Sequence, residues 1–99
     1  MLSCSDSALI FKALSDETRL KIVDMLSCEE LCACNILESF NITQPTLSYH
    51  MKILTECELV NARKEGAWTK YSLNQPLIDA FKTFIDAITS DKDNCACRK

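Results

Sequence analysis

Glycine and proline are almost absent from this chain, whose 99 residues include one Gly and two Pro. These two residues mark most tight turns, so a fold of many short strands joined by turns is excluded. Apolar residues make up 47% of the chain and charged residues 25%, which is typical of a globular domain. A chain of this length supports one hydrophobic core. We therefore predict a single, mainly α-helical domain.

Helical periodicity and one β-hairpin define the predicted order of elements. The predicted helices cover residues 9–14, a segment whose first turn contains Asp16 and Glu17, and residues 34–40, 44–57 and 77–88. The predicted strands cover residues 59–64 and 67–73, and Glu65 and Gly66 form the two-residue loop between them. Two helices joined by a short turn and followed by a hairpin with a basic tip are typical of a winged helix-turn-helix.

The final predicted helix indicates a homodimer. Its apolar residues cover more than half of its circumference and include Leu77, Ile78, Phe81, Phe84, Ile85 and Ile88. A helix this apolar needs burial on two sides, which a small domain does not provide alone. We expect two copies to pair through the first and last helices. Residues 1–90 would then form the winged helix-turn-helix DNA-binding domain, and residues 91–99 a flexible tail that contains cysteine.

Seven cysteines are unusual in so short a chain, and they are Cys4, Cys28, Cys32, Cys34, Cys57, Cys95 and Cys97. Their number is odd, and the N-terminal residues lack the basic and apolar regions of a signal peptide, so we expect a cytoplasmic protein without a disulfide framework. No apolar run approaches the ~20 residues that span a bilayer, so we expect no membrane association. Because the chain has one His, any metal site must consist of thiolates. Cys57 is predicted to be an apolar core residue.

Four segments of the chain resemble the ArsR/SmtB family. They are residues 13–20 (ALSDETRL), 30–34 (ELCAC), 44–54 (QPTLSYHMKIL) and 63–68 (RKEGAW). The resemblance extends from about residue 8 to residue 88 and implies a homodimeric winged-helix repressor that releases operator DNA on binding a toxic metal or metalloid. The segment ELCAC is most similar to the arsenite-responsive branch, which implies arsenite or antimonite as an inducer held by the thiolates of Cys32 and Cys34.

The third thiolate ligand stays open at this point. The best-known arsenite sensors of this family carry a third cysteine three residues after the pair, where this chain has Leu37. The candidates are therefore Cys4, Cys28, Cys95 and Cys97. We favour Cys95 and Cys97 because they repeat the Cys-Ala-Cys spacing of the first pair.

The spacing of Cys32 and Cys34 suggests how a ligand could act. Residues two apart lie about 200° apart around a helix, whereas they lie on one side of an extended strand. If the start of the third helix is helical without ligand, capture of one ion by both sulfurs must unwind its first turn. Because this helix supports the next one, unwinding would displace the DNA-reading helix.

The DNA-binding surface is predicted on the fourth helix and the hairpin. The predicted residues are Gln44, Thr46, Ser48, Tyr49, His50 and Lys52 on the helix, and Arg63, Lys64 and Lys70 on the hairpin. Amide and hydroxyl groups bind base edges or phosphates, and the cations bind phosphates. His50 has two further interpretations, as a hydrogen-bonded support of the helix or as a metal ligand. The net charge of −3 gives no independent support for binding to DNA.

Other functions remain open on the sequence alone. The same scaffold could sense cadmium or lead, its thiols could form a redox switch, or the chain could be a metal buffer without a DNA role. An enzyme is not expected, because the chain has no Gly-rich phosphate loop and no nucleophile beside a base.

Overall fold

A computed structural model describes residues 2–90 of the chain, and the predicted tail at 91–99 lies outside the described residues. In chain order the elements are α1 (Cys4–Ala13), α2 (Glu17–Leu26), β1 (Leu31–Cys32), α3 (Ala33–Leu37), α4 (Gln44–Glu56), β2 (Val60–Glu65), β3 (Trp68–Leu73) and α5 (Gln75–Thr89). The prediction of a mainly helical fold with a small hairpin is therefore confirmed. Within residues 2–90, no helix combines the length and apolar character needed to cross a membrane.

Polar side chains define where the main helices begin. Ser3, Asp16, Thr43 and Asn74 each precede a helix, and their side-chain oxygens accept backbone N–H groups of the first turn. These bonds satisfy donors that have no partner within the helix. Pro45 lies in the first turn of α4, where its missing N–H costs nothing. The N-terminus of α4 is thus as the sequence predicts.

The sheet has three strands, one more than predicted. Its order is β1-β3-β2 and both pairs are antiparallel. A strand of two residues has no periodicity, so β1 could not be recognised from the sequence. The predicted hairpin loop is shifted by one residue, because Glu65 pairs with Trp68 and the loop consists of Gly66 and Ala67. Gly66, at φ 64°, supplies the positive φ that such a loop requires at its first position.

The core lies where α1, α2, α3, α4 and α5 meet the sheet. Its most buried apolar side chains are Ile22, Ile36, Leu54 and Leu59. Cys57 is half buried and packs against this core, as predicted, and burial raises the pKa of its thiol. One side of α4 packs against this core, and the other side is exposed.

Apolar surface remains uncovered on the two helices predicted to form the dimer. Leu9 and Phe11 of α1 and Ile88 of α5 are each about half exposed. Phe11 also contacts Phe81 of α5 edge-to-face, with ring centroids 4.9 Å apart, so the two helices meet at this point. Three large apolar side chains on adjacent helices are the kind of surface that a partner covers.

Candidate thiolate site and DNA-binding face

The two candidate thiols lie at the junction of a strand and a helix. Cys32 has extended backbone, with φ −84° and ψ 162°, and immediately precedes α3. Cys34 lies in the first turn of that helix. The thiol of Cys32 donates to Oδ1 of Asn35 across 2.9 Å, and the same oxygen accepts the backbone N–H of Cys32 at 3.3 Å. Asn35 therefore joins Cys32 to the helix that follows it.

The two thiols interact with each other. A hydrogen bond from Cys34 lowers the pKa of Cys32, and a hydrogen bond from the backbone N–H of Asn35 lowers it further. The same interaction raises the pKa of Cys34, as does partial desolvation. Cys32 is therefore the thiol that loses its proton first, and Cys34 stabilises the resulting thiolate.

The condition under which capture of one ion would require unwinding is not met, because the backbone at Cys32 is not helical. Pairing of Cys32 with Lys70 of β3 keeps the backbone at Cys32 extended, so only Cys34 belongs to the helix. The helical separation of about 200° therefore does not apply, and the thiols already lie side by side.

The described part of the chain does not group a third ligand with the pair. Within residues 2–90, no three Cys, His, Asp or Glu side chains are grouped so that they could hold a metal ion. Cys4 and Cys28 are exposed but do not join the pair. Cys95 and Cys97 lie outside the described residues, so their assignment as ligands stays a prediction.

One cleft connects the thiols with the predicted DNA-binding elements. It has a volume of about 360 Å³ and lies between α3, α4 and the hairpin. Cys34 and Leu37 line it from α3, Gln44 and Ser48 from α4, and Trp68 from β3. A change in the position of Cys34 would therefore alter a space that α4 and the hairpin share.

Five of the predicted DNA-binding residues lie on the exposed side of α4. They are Gln44, Thr46, Ser48, Tyr49 and Lys52. Tyr49 is 60% exposed, although it is an aromatic side chain. This side of the helix is free to approach a ligand outside the protein.

His50 is not on that side, which corrects its predicted placement. Its side chain is buried, and Nδ1 lies 3.0 Å from Nη1 of Arg19. A guanidinium group only donates, so Nδ1 accepts and the proton of the neutral ring is on Nε2. Arg19, which the sequence analysis did not single out, also donates from Nε to the carbonyl of Ala13 at 2.6 Å. His50 therefore supports α4 from inside, and its spacing from Leu47 could have revealed this.

The three predicted cations of the hairpin differ in their surroundings. Arg63 forms ion pairs with Glu30 and Glu65, each at 2.7 Å, and Lys70 lies 3.3 Å from Glu65. Within residues 2–90, Lys64 is exposed and has no ion-pair partner. Of these three cations, Lys64 is therefore the one whose charge is not already paired with a carboxylate.

Comparison with known proteins identifies the family. Residues 16–62 match the model described as bacterial regulatory protein, arsR family. The chain is 46% identical over 97 residues to the arsenical resistance operon repressor of Staphylococcus xylosus, covering 98% of this chain and 93% of the relative. The chain belongs to the ArsR family. It is also 43% identical over 70 residues to a cadmium resistance transcriptional regulatory protein CadC homolog of Staphylococcus aureus, covering 70% of this chain and 58% of that relative.

A solved structure supports the same assignment. The homodimeric winged helix-turn-helix DNA-binding domain of a Mycobacterium bovis protein has a TM-score of 0.71 and 26% identity, covering 85% of this chain and 79% of the other. The predictions of a winged helix-turn-helix and of a regulator rather than an enzyme are confirmed. This ArsR-family chain is a DNA-binding transcriptional repressor.

The role of His50 as a support can be tested by stability. His50→Ala should lower the free energy of unfolding by about 1–3 kcal/mol, because Arg19 is left buried without this acceptor. Tyr49→Ala, at the adjacent exposed position, should change it by less than about 0.5 kcal/mol. Urea unfolding at a fixed protein concentration measures both. Equal stability of the two variants would contradict the role of His50.

The order of proton loss can be tested on the metal-free, reduced protein. Cys32 should react with iodoacetamide at lower pH than Cys34, because the thiolate is the reactive form and the pKa of Cys32 is lowered. Cys34→Ala should move the reaction of Cys32 to higher pH, whereas Cys34→Ser keeps a hydrogen-bond donor and should move it less. Timed alkylation and peptide mass spectrometry give the profiles, and an unchanged Cys32 profile in Cys34→Ala would contradict the interaction.

Proposed function

We propose that this ArsR-family repressor releases operator DNA when trivalent arsenic or antimony binds to the thiolates of Cys32 and Cys34. The observation that carries the proposal is the position of the pair. The two thiols interact, and Cys34 forms part of the wall of the cleft between α3, α4 and the hairpin. The Staphylococcus xylosus relative, named an arsenical resistance operon repressor, supports the choice of inducer.

The donor atoms fit the proposed inducer. Bound arsenic or antimony supplies a soft, thiophilic centre, and thiolate sulfur is a soft ligand that selects such ions. The lowered pKa of Cys32 increases the fraction of thiolate near neutral pH, which favours capture. We propose Cys95 or Cys97 as the third thiolate and keep Cys4 and Cys28 as alternatives, from the same chain or from a partner copy.

Capture changes the hydrogen bonds at the start of α3. Each sulfur–arsenic bond would replace a hydroxide of arsenite, which would leave as water with the proton of the thiol. Cys32 would thereby lose the hydrogen that it donates to Asn35, so the amide oxygen of Asn35 would face a sulfur with no hydrogen to donate. The remaining bond from the backbone N–H of Cys32 is longer, at 3.3 Å. We propose that this loss lets β1 and α3 shift relative to α4.

The exposed side of α4 is the proposed DNA-reading surface. Its polar residues would contact base edges and phosphates, and Arg63, Lys64 and Lys70 would contact phosphates from the hairpin. Two copies would pair through α1 and α5, where Leu9, Phe11 and Ile88 are exposed. Such a pair presents two α4 helices to two half-sites of an operator.

Operator release tests the function directly. Arsenite should lower the affinity of the protein for DNA upstream of its own gene by about 5–150-fold, the usual range of coupling between sites. Cys32→Ser with Cys34→Ser should bind this DNA and lose the response. Cys57→Ser removes a thiol that packs on the core and should respond like the unaltered protein. Fluorescence anisotropy of a labelled duplex measures all three, and release from the double variant at the same arsenite concentration would overturn the proposal.

Cadmium sensing is the second candidate, because a relative with 43% identity is named a CadC homolog. The same titration with a cadmium salt separates the two candidates. Release at lower cadmium than arsenite concentration, together with an intense sulfur-to-metal charge-transfer band, would favour cadmium.

The third ligand can be identified with single substitutions. Cys95→Ser or Cys97→Ser should weaken arsenite binding at least tenfold if one of them supplies the third thiolate, whereas Cys28→Ser should leave it unchanged. Calorimetric titration of each variant with arsenite gives the affinities. A loss in Cys4→Ser or Cys28→Ser, with full affinity in both tail variants, would show that the assignment to the tail is wrong.

A further inference from the structure

Cys32 and two of the hairpin cations lie in one row of the sheet. Cys32 of β1 pairs with Lys70 of β3, and Lys70 pairs with Arg63 of β2. Residues directly opposite each other in neighbouring strands place their side chains on the same face. Cys32 is therefore separated from Arg63 by a single strand.

A cluster of four charged side chains, Glu30, Arg63, Glu65 and Lys70, joins these strands. One guanidinium nitrogen of Arg63, Nη2, lies 2.7 Å from Oε1 of Glu30, and the other, Nη1, lies 2.7 Å from Oε2 of Glu65. Nζ of Lys70 lies 3.3 Å from Oε1 of Glu65. The two cations and two carboxylates have no net charge together, so the cluster would bind DNA only through the N–H donors of Arg63 that the carboxylates leave free.

Glu30 differs from the other three members because it does not belong to the hairpin. It lies two residues before Cys32, in the segment that leads into β1. Among residues 2–90, its ion pair with Arg63 is the one salt bridge that links the thiol segment to the hairpin. The link spans 33 positions of the chain.

The ion pair of Glu30 with Arg63 is suited to transmit a small movement of β1 to the hairpin. Strand β1 has two residues, so little backbone pairing resists its displacement. The guanidinium group of Arg63 is planar and rigid, so a carboxylate bound to each of its terminal nitrogens fixes its orientation. Displacement of Glu30 would leave Arg63 bound to Glu65 alone and would change the direction of its free donors.

We propose that Glu30 couples the Cys32–Cys34 thiols to the hairpin, by holding Arg63 in the orientation that binds DNA until β1 moves. Glu30 is thus a positioning residue: it binds neither the inducer nor DNA and acts through Arg63. This inference rests on the proposed function, in which capture at the thiols displaces β1.

The test compares two substitutions that each remove one carboxylate from Arg63. Glu30→Gln removes the charge of Glu30 and so weakens the link to β1, whereas Glu65→Gln removes the same charge within the hairpin and is the matched control. For each protein, anisotropy gives the operator affinity without arsenite and at saturating arsenite, and the ratio of the two is the response. Calorimetry confirms that arsenite still binds, and thermal unfolding confirms that the variants fold.

Glu30→Gln should reduce the response by a factor of about 1.4–5, which corresponds to the free energy of an exposed ion pair. Glu65→Gln should change the operator affinity by the same factor without arsenite and at saturating arsenite, so its response should equal that of the unaltered protein. Trp68, the one Trp of the chain, lies at the tip of the hairpin and gives a second readout. Its change in emission on arsenite addition should also be smaller in Glu30→Gln than in Glu65→Gln.

Two results would overturn the coupling role. The response of Glu30→Gln could equal that of the unaltered protein, or both variants could lose the response equally, which would indicate a general effect of charge. A failure of the proposed function is recognised separately, because the unaltered protein would then show no response to arsenite at all.

Discussion

The pairing of β1 with β3 is the interaction on which the candidate sensor depends. It holds Cys32 in an extended conformation directly before α3, and this places its thiol beside that of Cys34. Without the pairing, the same residues could continue the helix backwards, and the two side chains would diverge. The pairing of only two residues, Leu31 and Cys32, with β3 therefore determines whether the two cysteines of the Cys-Ala-Cys sequence act as a pair. The pairing also brings the sensor next to the hairpin that is proposed to contact DNA.

Helix α4 shows how a surface for recognition is kept in place by a buried polar contact. Leu47, Met51 and Leu54 anchor one side of the helix in the core. His50 lies on the same side and accepts a hydrogen bond from Arg19 of α2. The orientation of α4 is therefore fixed by a directional hydrogen bond as well as by apolar packing. Apolar packing tolerates small rotations, whereas a hydrogen bond with a buried guanidinium does not. The exposed polar residues of α4 are consequently presented in one arrangement.

The sequence was sufficient for the elements that depend on local patterns. Periodicity located the long helices, Thr43 marked the start of α4, and the chain's one glycine marked the hairpin. It was insufficient where contacts between distant residues decide the structure. Strand β1 exists because of β3, some 40 positions away, and the ion pair of Glu30 with Arg63 has the same origin. The buried role of Arg19 could not be recognised for the same reason, since its acceptor on His50 lies 31 positions further on.

The exposed apolar side chains of α1 and α5 would make binding to the operator depend on the concentration of the protein in the cell. If two copies pair as we propose, Leu9, Phe11 and Ile88 would be covered only at protein concentrations high enough for pairing. Pairing through these residues would make occupancy of a two-part operator rise with the square of the protein concentration at low abundance. A repressor of this kind can silence its promoter sharply once its own supply passes a threshold, even before any inducer is encountered.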